Sequence, residues 1–207
     1  MYLAVDISSS MAGDRIAAVE QAIARLSTEL LSNPLLGERV RVGIVAFHET
    51  AEVVVPLSDL TELRRLPRIR ARGVARYGPL FQLLARVLER DRRVLLAADN
   101  RVSSPFVFLI TDGVPVDSGW YHSYAEYRDR TRARLILVAI GVAPDDEGLR
   151  ELRPVRALHW QDAHDMGLSE WLFDVMDEYA HELTTSVVVR RPESRVFDPP
   201  PADPDFP

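Results

Sequence analysis

Short apolar strands alternate with amphipathic helical patterns along most of this chain. That alternation predicts an α/β protein with a doubly wound, mostly parallel central sheet and helices on both faces. Two further observations agree with it. Aspartates close two of the strands, Asp6 and Asp112, at the strand ends where sheets of this class collect ligands. In addition, His48-Glu49-Thr50 separates two apolar runs by three residues, a hairpin that places one antiparallel strand at the sheet edge.

Each element has a local reason. Residues 2–6 form an apolar strand without alternation, as expected when both faces are covered. Asp14 is placed as the cap of the next helix, whose Ile16, Val19, Ile23, Leu26 and Leu30 recur at three- and four-residue spacing. Val40–Phe47 and Ala51–Val55 are the two arms of the hairpin. Pro79 suits a first helical turn, and Leu80, Leu83, Leu84, Val87 and Leu88 carry that helix to about Asp91. Phe106–Ile110 is a buried strand leading to Asp112. A Tyr-rich stretch, 121–132, reads as a helix, 135–140 as a strand ended by Gly141, 157–160 as a short last strand, and Leu168 to Leu183 as the final helix.

Composition narrows the chemistry. The chain has 207 residues, 47% hydrophobic and 27% charged, enough for one full core, read as a domain over 1–189 with a tail over 190–207. With no Cys there is no disulfide, thiolate nucleophile or Cys-based zinc site. All 25 basic residues are Arg, which removes Walker-type phosphate binding and Schiff-base chemistry and fits a GC-rich bacterial genome. Residues 1–111 carry 15 Arg against 12 acids and residues 112–207 carry 10 against 19, so +3 and −9 make the net −6. So acidic a chain is not expected to bind nucleic acid. The longest apolar run, 135–143, is too short for a bilayer, which needs about 20 residues. With no leader pattern ahead of the first strand, a cytoplasmic location without membrane association is expected.

The chemistry-bearing residues are oxygen donors. Asp6, Ser8 and Ser10 occupy the turn after the first strand, and Asp112 follows another strand about a hundred residues later. Hard oxygens suit a hard divalent cation, which keeps waters and draws a last ligand from another molecule. The Asp6-Ile7-Ser8-Ser9-Ser10 run matches the DxSxS motif of von Willebrand factor A (VWA) domains, and Thr111-Asp112-Gly113 resembles their second acidic loop. Val45-Ala46-Phe47, Val55-Pro56-Leu57 and Tyr77-Gly78 extend the similarity over roughly residues 1–185, and it looks closest to the bacterial TerY-like branch associated with tellurium resistance and stress response.

The resemblance implies a Rossmann-like VWA fold and a metal-ion-dependent adhesion site (MIDAS). In it Ser8 and Ser10 would coordinate Mg²⁺ or Mn²⁺ directly, Asp6 and Asp112 would supply charge, and an acidic side chain of a partner protein would complete the shell. Phosphatase, kinase or ATPase components of a stress or conflict system are the implied partners. One position departs from the pattern. Where the family has a Thr on a middle loop, this chain has Ala75, followed by Arg76, so one oxygen is missing and a nearby guanidinium would oppose a cation.

Arg64, Arg65, Arg68, Arg70, Arg72 and Arg76 fall within thirteen residues, either a solvated loop or a docking patch for an acidic partner. Arg76, Tyr77, Asp117 and Trp120 are assigned to the rim of the binding face, Trp120 as an aromatic anchor. His159, Asp162, His164 and Asp165 lack zincin spacing, and His48, His122 and His181 read as ordinary polar residues. Catalysis is not expected. A haloacid-dehalogenase-type phosphatase would need an acid at position 8, where Ser8 stands, and no G-x-S-x-G elbow supports serine hydrolysis. The last eighteen residues contain six Pro and are expected to be extended or disordered, leaving docking through that tail or the Arg-rich loop as the metal-independent alternative.

Overall fold

A computed structural model describes residues 1–58, 68–143, 146–161 and 166–188. The tail after residue 188, Arg64 and Arg65, and Asp162, His164 and Asp165 lie outside the described residues.

In chain order the elements are β1 (Tyr2–Asp6), α1 (Asp14–Ser32), α2 (Pro34–Arg39), β2 (Val42–Phe47), β3 (Ala51–Ser58), α3 (Tyr77–Ala97), β4 (Phe106–Thr111), α4 (Trp120–Thr131), β5 (Arg134–Ile140), α5 (Glu147–Arg150), β6 (Arg156–Trp160) and α6 (Leu168–Val188). The six strands form one sheet in the order β3-β2-β1-β4-β5-β6. All neighbours run parallel except β2 and β3, which form the expected antiparallel edge hairpin.

Strand residues alternate between two cores. Leu3, Val5, Ile44, Phe108, Ile110 and Val138 face α1, α2 and α6, whereas Tyr2, Ala4, Val45, Val107, Leu109 and Leu137 face α3 and α4. Because both faces are covered, β1, β2 and β4 are buried from end to end, and their sequences read as continuous apolar runs.

Strand order positions the site. β1 pairs with β2 on one side and β4 on the other, with Val5 beside Ile110. The chain therefore leaves β1 and β4 in opposite directions at adjacent carboxyl ends, which is the switch point of a doubly wound sheet. Asp6 and Asp112 emerge there together.

Several boundaries differ from expectation: β2 begins at Val42 rather than Val40, β3 runs on to Ser58 beyond Val55, and α6 reaches Val188 beyond Leu183. Asp14 is the first residue of α1 rather than its cap; Gly13, at φ 82°, holds the cap position and offers no side chain. Helix α3 starts at Tyr77 and continues six residues past Asp91 to Ala97, because no Gly or Pro interrupts 92–97. It stops where Asp99 turns left-handed and the Asn100 backbone and side-chain amides bond the Leu95 carbonyl, closing the helix end. The short helices α2 and α5 were not anticipated.

Candidate metal-binding site

The four oxygen residues converge. The Ser8 amide donates to Asp6 Oδ1 at 2.8 Å, and the Thr111 hydroxyl donates to Asp6 Oδ2 at 2.7 Å. The Ser8 and Ser10 hydroxyls lie 3.1 Å apart, and Ser10 Oγ donates to Asp112 Oδ1 at 2.8 Å. A hydrogen-bonded path, by way of the Ser8 amide and the Ser8 and Ser10 hydroxyls, thus joins two aspartates 106 positions apart. Asp6 is fully buried and Ser8 nearly so, whereas Ser10 is exposed, so the cluster opens to solvent at Ser10.

Burial sets the electrostatics. Desolvation raises the Asp6 pKa, the Thr111 and Ser8 hydrogen bonds pull it back, and the neighbouring Asp112 charge raises it again. A cation held beside the two carboxylates would favour their charged forms and so offset both effects.

Three loops are tied together around this point by backbone hydrogen bonds. From the middle loop, the Arg72 amide donates to the Ile7 carbonyl and the Gly73 carbonyl accepts from Ser9, joining it to the β1 turn. The Arg76 amide bonds the His48 carbonyl, and the Ala75 carbonyl accepts from Val116 on the loop after β4. Ala75 is buried and contributes no side-chain oxygen. Held between both acid-bearing loops, it is the position at which Ala75→Thr is expected to tighten Mn²⁺ binding in calorimetry. Unchanged or weaker affinity would mean that a hydroxyl at 75 does not reach the cation.

The rim assignments fare unevenly. Tyr77 is wholly buried: its hydroxyl lies 3.2 Å from Thr111 Oγ1 and donates to the Gly113 carbonyl at 3.0 Å, and its ring packs edge-on against Phe47, Phe81 and Trp120. It supports the acidic loop from beneath and, fully buried, offers no surface at the rim. Asp117 is also spent internally, accepting from the Tyr77 and Gly78 amides at 2.9 and 2.8 Å as a cap for α3 supplied from a distant loop. Gly78 permits that approach, since a Cβ there would stand 2.8 Å from Asp117 Oδ2. Trp120 is half-buried against Tyr77, Phe81 and Tyr124, while Arg76 is exposed. Val74 and Val116, exposed by 43% and 60% and not singled out in the sequence, give the face an apolar rim.

Arg15 was missed altogether. From the first turn of α1 its Nη1 donates to Asp112 Oδ2, so a guanidinium already sits on one of the two acids. Gly141, at φ 71°, leaves it room: a Cβ there would meet Arg15 Nη2 at 3.1 Å. The available signal was positional, because a cation in a helix's first turn opposes the macrodipole and needs an anion nearby. The Asp112 side chain is out of solvent and that of Arg15 is only 37% exposed, so freeing Asp112 for a cation costs at least the ~1 kcal/mol of a surface pair. Arg15→Gln is therefore expected to tighten Mn²⁺ binding about fivefold or more, and unaltered affinity in calorimetry would mean that Arg15 leaves Asp112 at no cost.

The donor set fits a small divalent cation. Oxygen pairs at 2.8 and 3.1 Å match the edge of an Mg²⁺ octahedron, about 3.0 Å for ligands at the usual 2.1 Å. Ser8, Ser10 and Asp112 would hold it, with Asp6 behind them; the departures are Ala75 and Arg15. Among the described residues no group of three or more His, Asp or Glu is arranged to hold a metal elsewhere.

A Rossmann-like sheet carrying such an oxygen cluster at its switch point is an α/β domain with a candidate ligand site where such sheets collect ligands. The family model of the von Willebrand factor type A domain matches residues 1–114, more than half of the chain, and the chain belongs to that family. No curated protein matches. Among solved structures, a von Willebrand factor type A protein from Catenulispora acidiphila is similar at TM-score 0.62 and 15% identity over 88% of this chain and 42% of its own. BatB, a conserved hypothetical protein from Bacteroides thetaiotaomicron, is similar at TM-score 0.57 and 16% identity over 87% of this chain and 98% of its own. Proximal thread matrix protein 1 from the mussel byssus, in a form with a zinc-occupied MIDAS motif, is similar at TM-score 0.59 and 16% identity over 88% and 46%. This chain spans less than half the length of the first and third of these.

Proposed function

We propose that the protein is a non-enzymatic binding module whose Asp6–Ser8–Ser10–Asp112 face captures a partner protein with the help of Mg²⁺ or Mn²⁺. The observation that carries this is the hydrogen-bonded path from Asp6 through Ser8 and Ser10 to Asp112, opening to solvent at Ser10, with Val74 and Val116 exposed on the neighbouring loops. A partner carboxylate completes the cation's shell while apolar side chains cover the valines. The zinc-occupied MIDAS motif of the mussel protein, a neighbour in fold, supports divalent binding in general. A TerY-like role beside phosphatase, kinase or ATPase components of a bacterial stress or conflict system, in the cytoplasm, belongs to the same proposal and rests on the sequence resemblance. Among the described residues no helix is long and apolar enough to cross a membrane.

Retention of a partner from lysate by the immobilised protein in Mn²⁺ is the test. Release by chelator and loss in Ser10→Ala are expected, with no Mg²⁺-dependent hydrolysis of phosphate esters. Retention indifferent to both treatments would overturn the reading in favour of metal-independent docking through the exposed Arg68, Arg70 and Arg76, a second reading favoured by the Arg15 guanidinium on Asp112.

A further inference from the structure

A groove of about 710 Å³ opens at the end of the sheet away from Asp6 and Asp112, beside the amino ends of β1 and β4 and the ends of α2, α3 and α4. Arginines from separate segments surround it. Arg93 and Arg130 share Glu89, and Arg41 donates to the Gly37 carbonyl. By contrast Arg39, Arg92, Arg101 and Arg132 are exposed, and none of them meets a carboxylate among the described residues. Glu89 is the sole acid among the described residues of the lining.

Helix ends explain only part of this concentration. Three carboxyl termini point to the groove, and each macrodipole is equivalent to about half a negative charge. Together with Glu89 they supply roughly two and a half negative charges against seven guanidiniums in a molecule whose net charge is −6. The surplus sits around a concavity whose floor includes Leu57, Leu88, Leu95 and Val102 and whose rim carries the hydroxyls of Ser103 and Ser104. The exposed arginines come from the end of α2, from α3, from the segment before β4 and from the turn after α4 rather than from one helix face or strand, which suits a compact anion better than an extended acidic peptide. The volume lies within the range of small-molecule sites, about 300–1,000 Å³, and guanidinium forks pair with phosphate oxygens two at a time.

We propose that this groove binds a small polyphosphate-bearing molecule of the nucleoside di- or triphosphate class, the phosphates held by Arg39, Arg92, Arg101 and Arg132 and the organic part laid on the leucine floor. The test is calorimetry on the full chain with ATP and with inorganic triphosphate, in chelator so that the metal face plays no part. Both probes are expected to bind, weakening at least fivefold in Arg92→Glu and in Arg101→Glu. Arg86→Glu, which makes the same charge change at an exposed α3 position outside the groove, is expected to weaken them less than twofold. Tighter binding of ATP places the base on the apolar floor, whereas equal affinities assign phosphate alone; both support the site. Unchanged melting temperatures show that the variants fold. The proposal is overturned if neither probe binds at millimolar concentration, if Arg86→Glu weakens binding as much as Arg92→Glu, or if a poly-glutamate peptide binds where the phosphates do not.

Discussion

Asp6→Asn is expected to abolish divalent-cation binding and yet leave the metal-free protein at least as stable as the parent. Asparagine keeps an oxygen for the Ser8 amide and removes the charge. Asp6 is fully buried, its pKa is raised chiefly by desolvation, and the Asp112 charge adds to the shift. The folded protein therefore holds the Asp6 proton more tightly than the unfolded chain does. Stability contributed by that protonation is present below the ordinary carboxyl value, about 4, and is lost as pH rises through the higher folded value. In chelator, denaturation midpoints of the parent should fall as pH rises through this window, and those of Asp6→Asn should fall less. A large destabilisation of Asp6→Asn at neutral pH would show that the carboxylate is held by more favourable contacts than Ser8 and Thr111 provide.

Tyr77→Ala carries the largest expected loss of stability. The ring is completely buried between Phe47, Phe81 and Trp120, and truncating such a residue costs about 3–5 kcal/mol. At roughly 2–4 °C per kcal/mol for a domain of this size, the melting temperature should drop by about 10 °C. Tyr77→Phe separates packing from hydrogen bonding. It keeps the ring but takes the tyrosine hydroxyl from the Gly113 carbonyl, leaving Thr111 Oγ1 at 3.1 Å as the hydroxyl beside it, a loss of about 1 kcal/mol. Because Gly113 follows Asp112, the same variant should weaken Mn²⁺ binding; affinity equal to the parent's would show that the acidic loop keeps its shape without this anchor.

The sheet was legible because both of its faces are covered. Continuous apolar runs such as Phe106–Ile110 have no other stable placement, and the three-residue break at His48-Glu49-Thr50 marks the one antiparallel pair. Asp6, Ser8, Ser10 and Asp112 were legible because their spacing is a motif tied to strand ends. What escaped was the direction of individual side chains. Tyr77 and Asp117 sit in loop-like sequence and looked like surface groups, yet one packs into the core and the other caps a helix 40 positions away, contacts that exist only after β4 lies beside β1. Arg15 escaped for the same reason, since its partner is 97 positions distant. Alternation reports which face a strand residue takes; it says little about a long side chain on a helix's first turn.

The adjacency of β1 and β4 has a consequence for biogenesis. Every contact between the Asp6 turn and the Asp112 loop spans about a hundred residues, so the loop-closure entropy must be met before either acid gains its neighbour. A nascent chain that has emerged only as far as α3 contains the whole DxSxS turn but has no second carboxylate beside it. Assembly of the oxygen cluster is thereby reserved for molecules whose central sheet has closed.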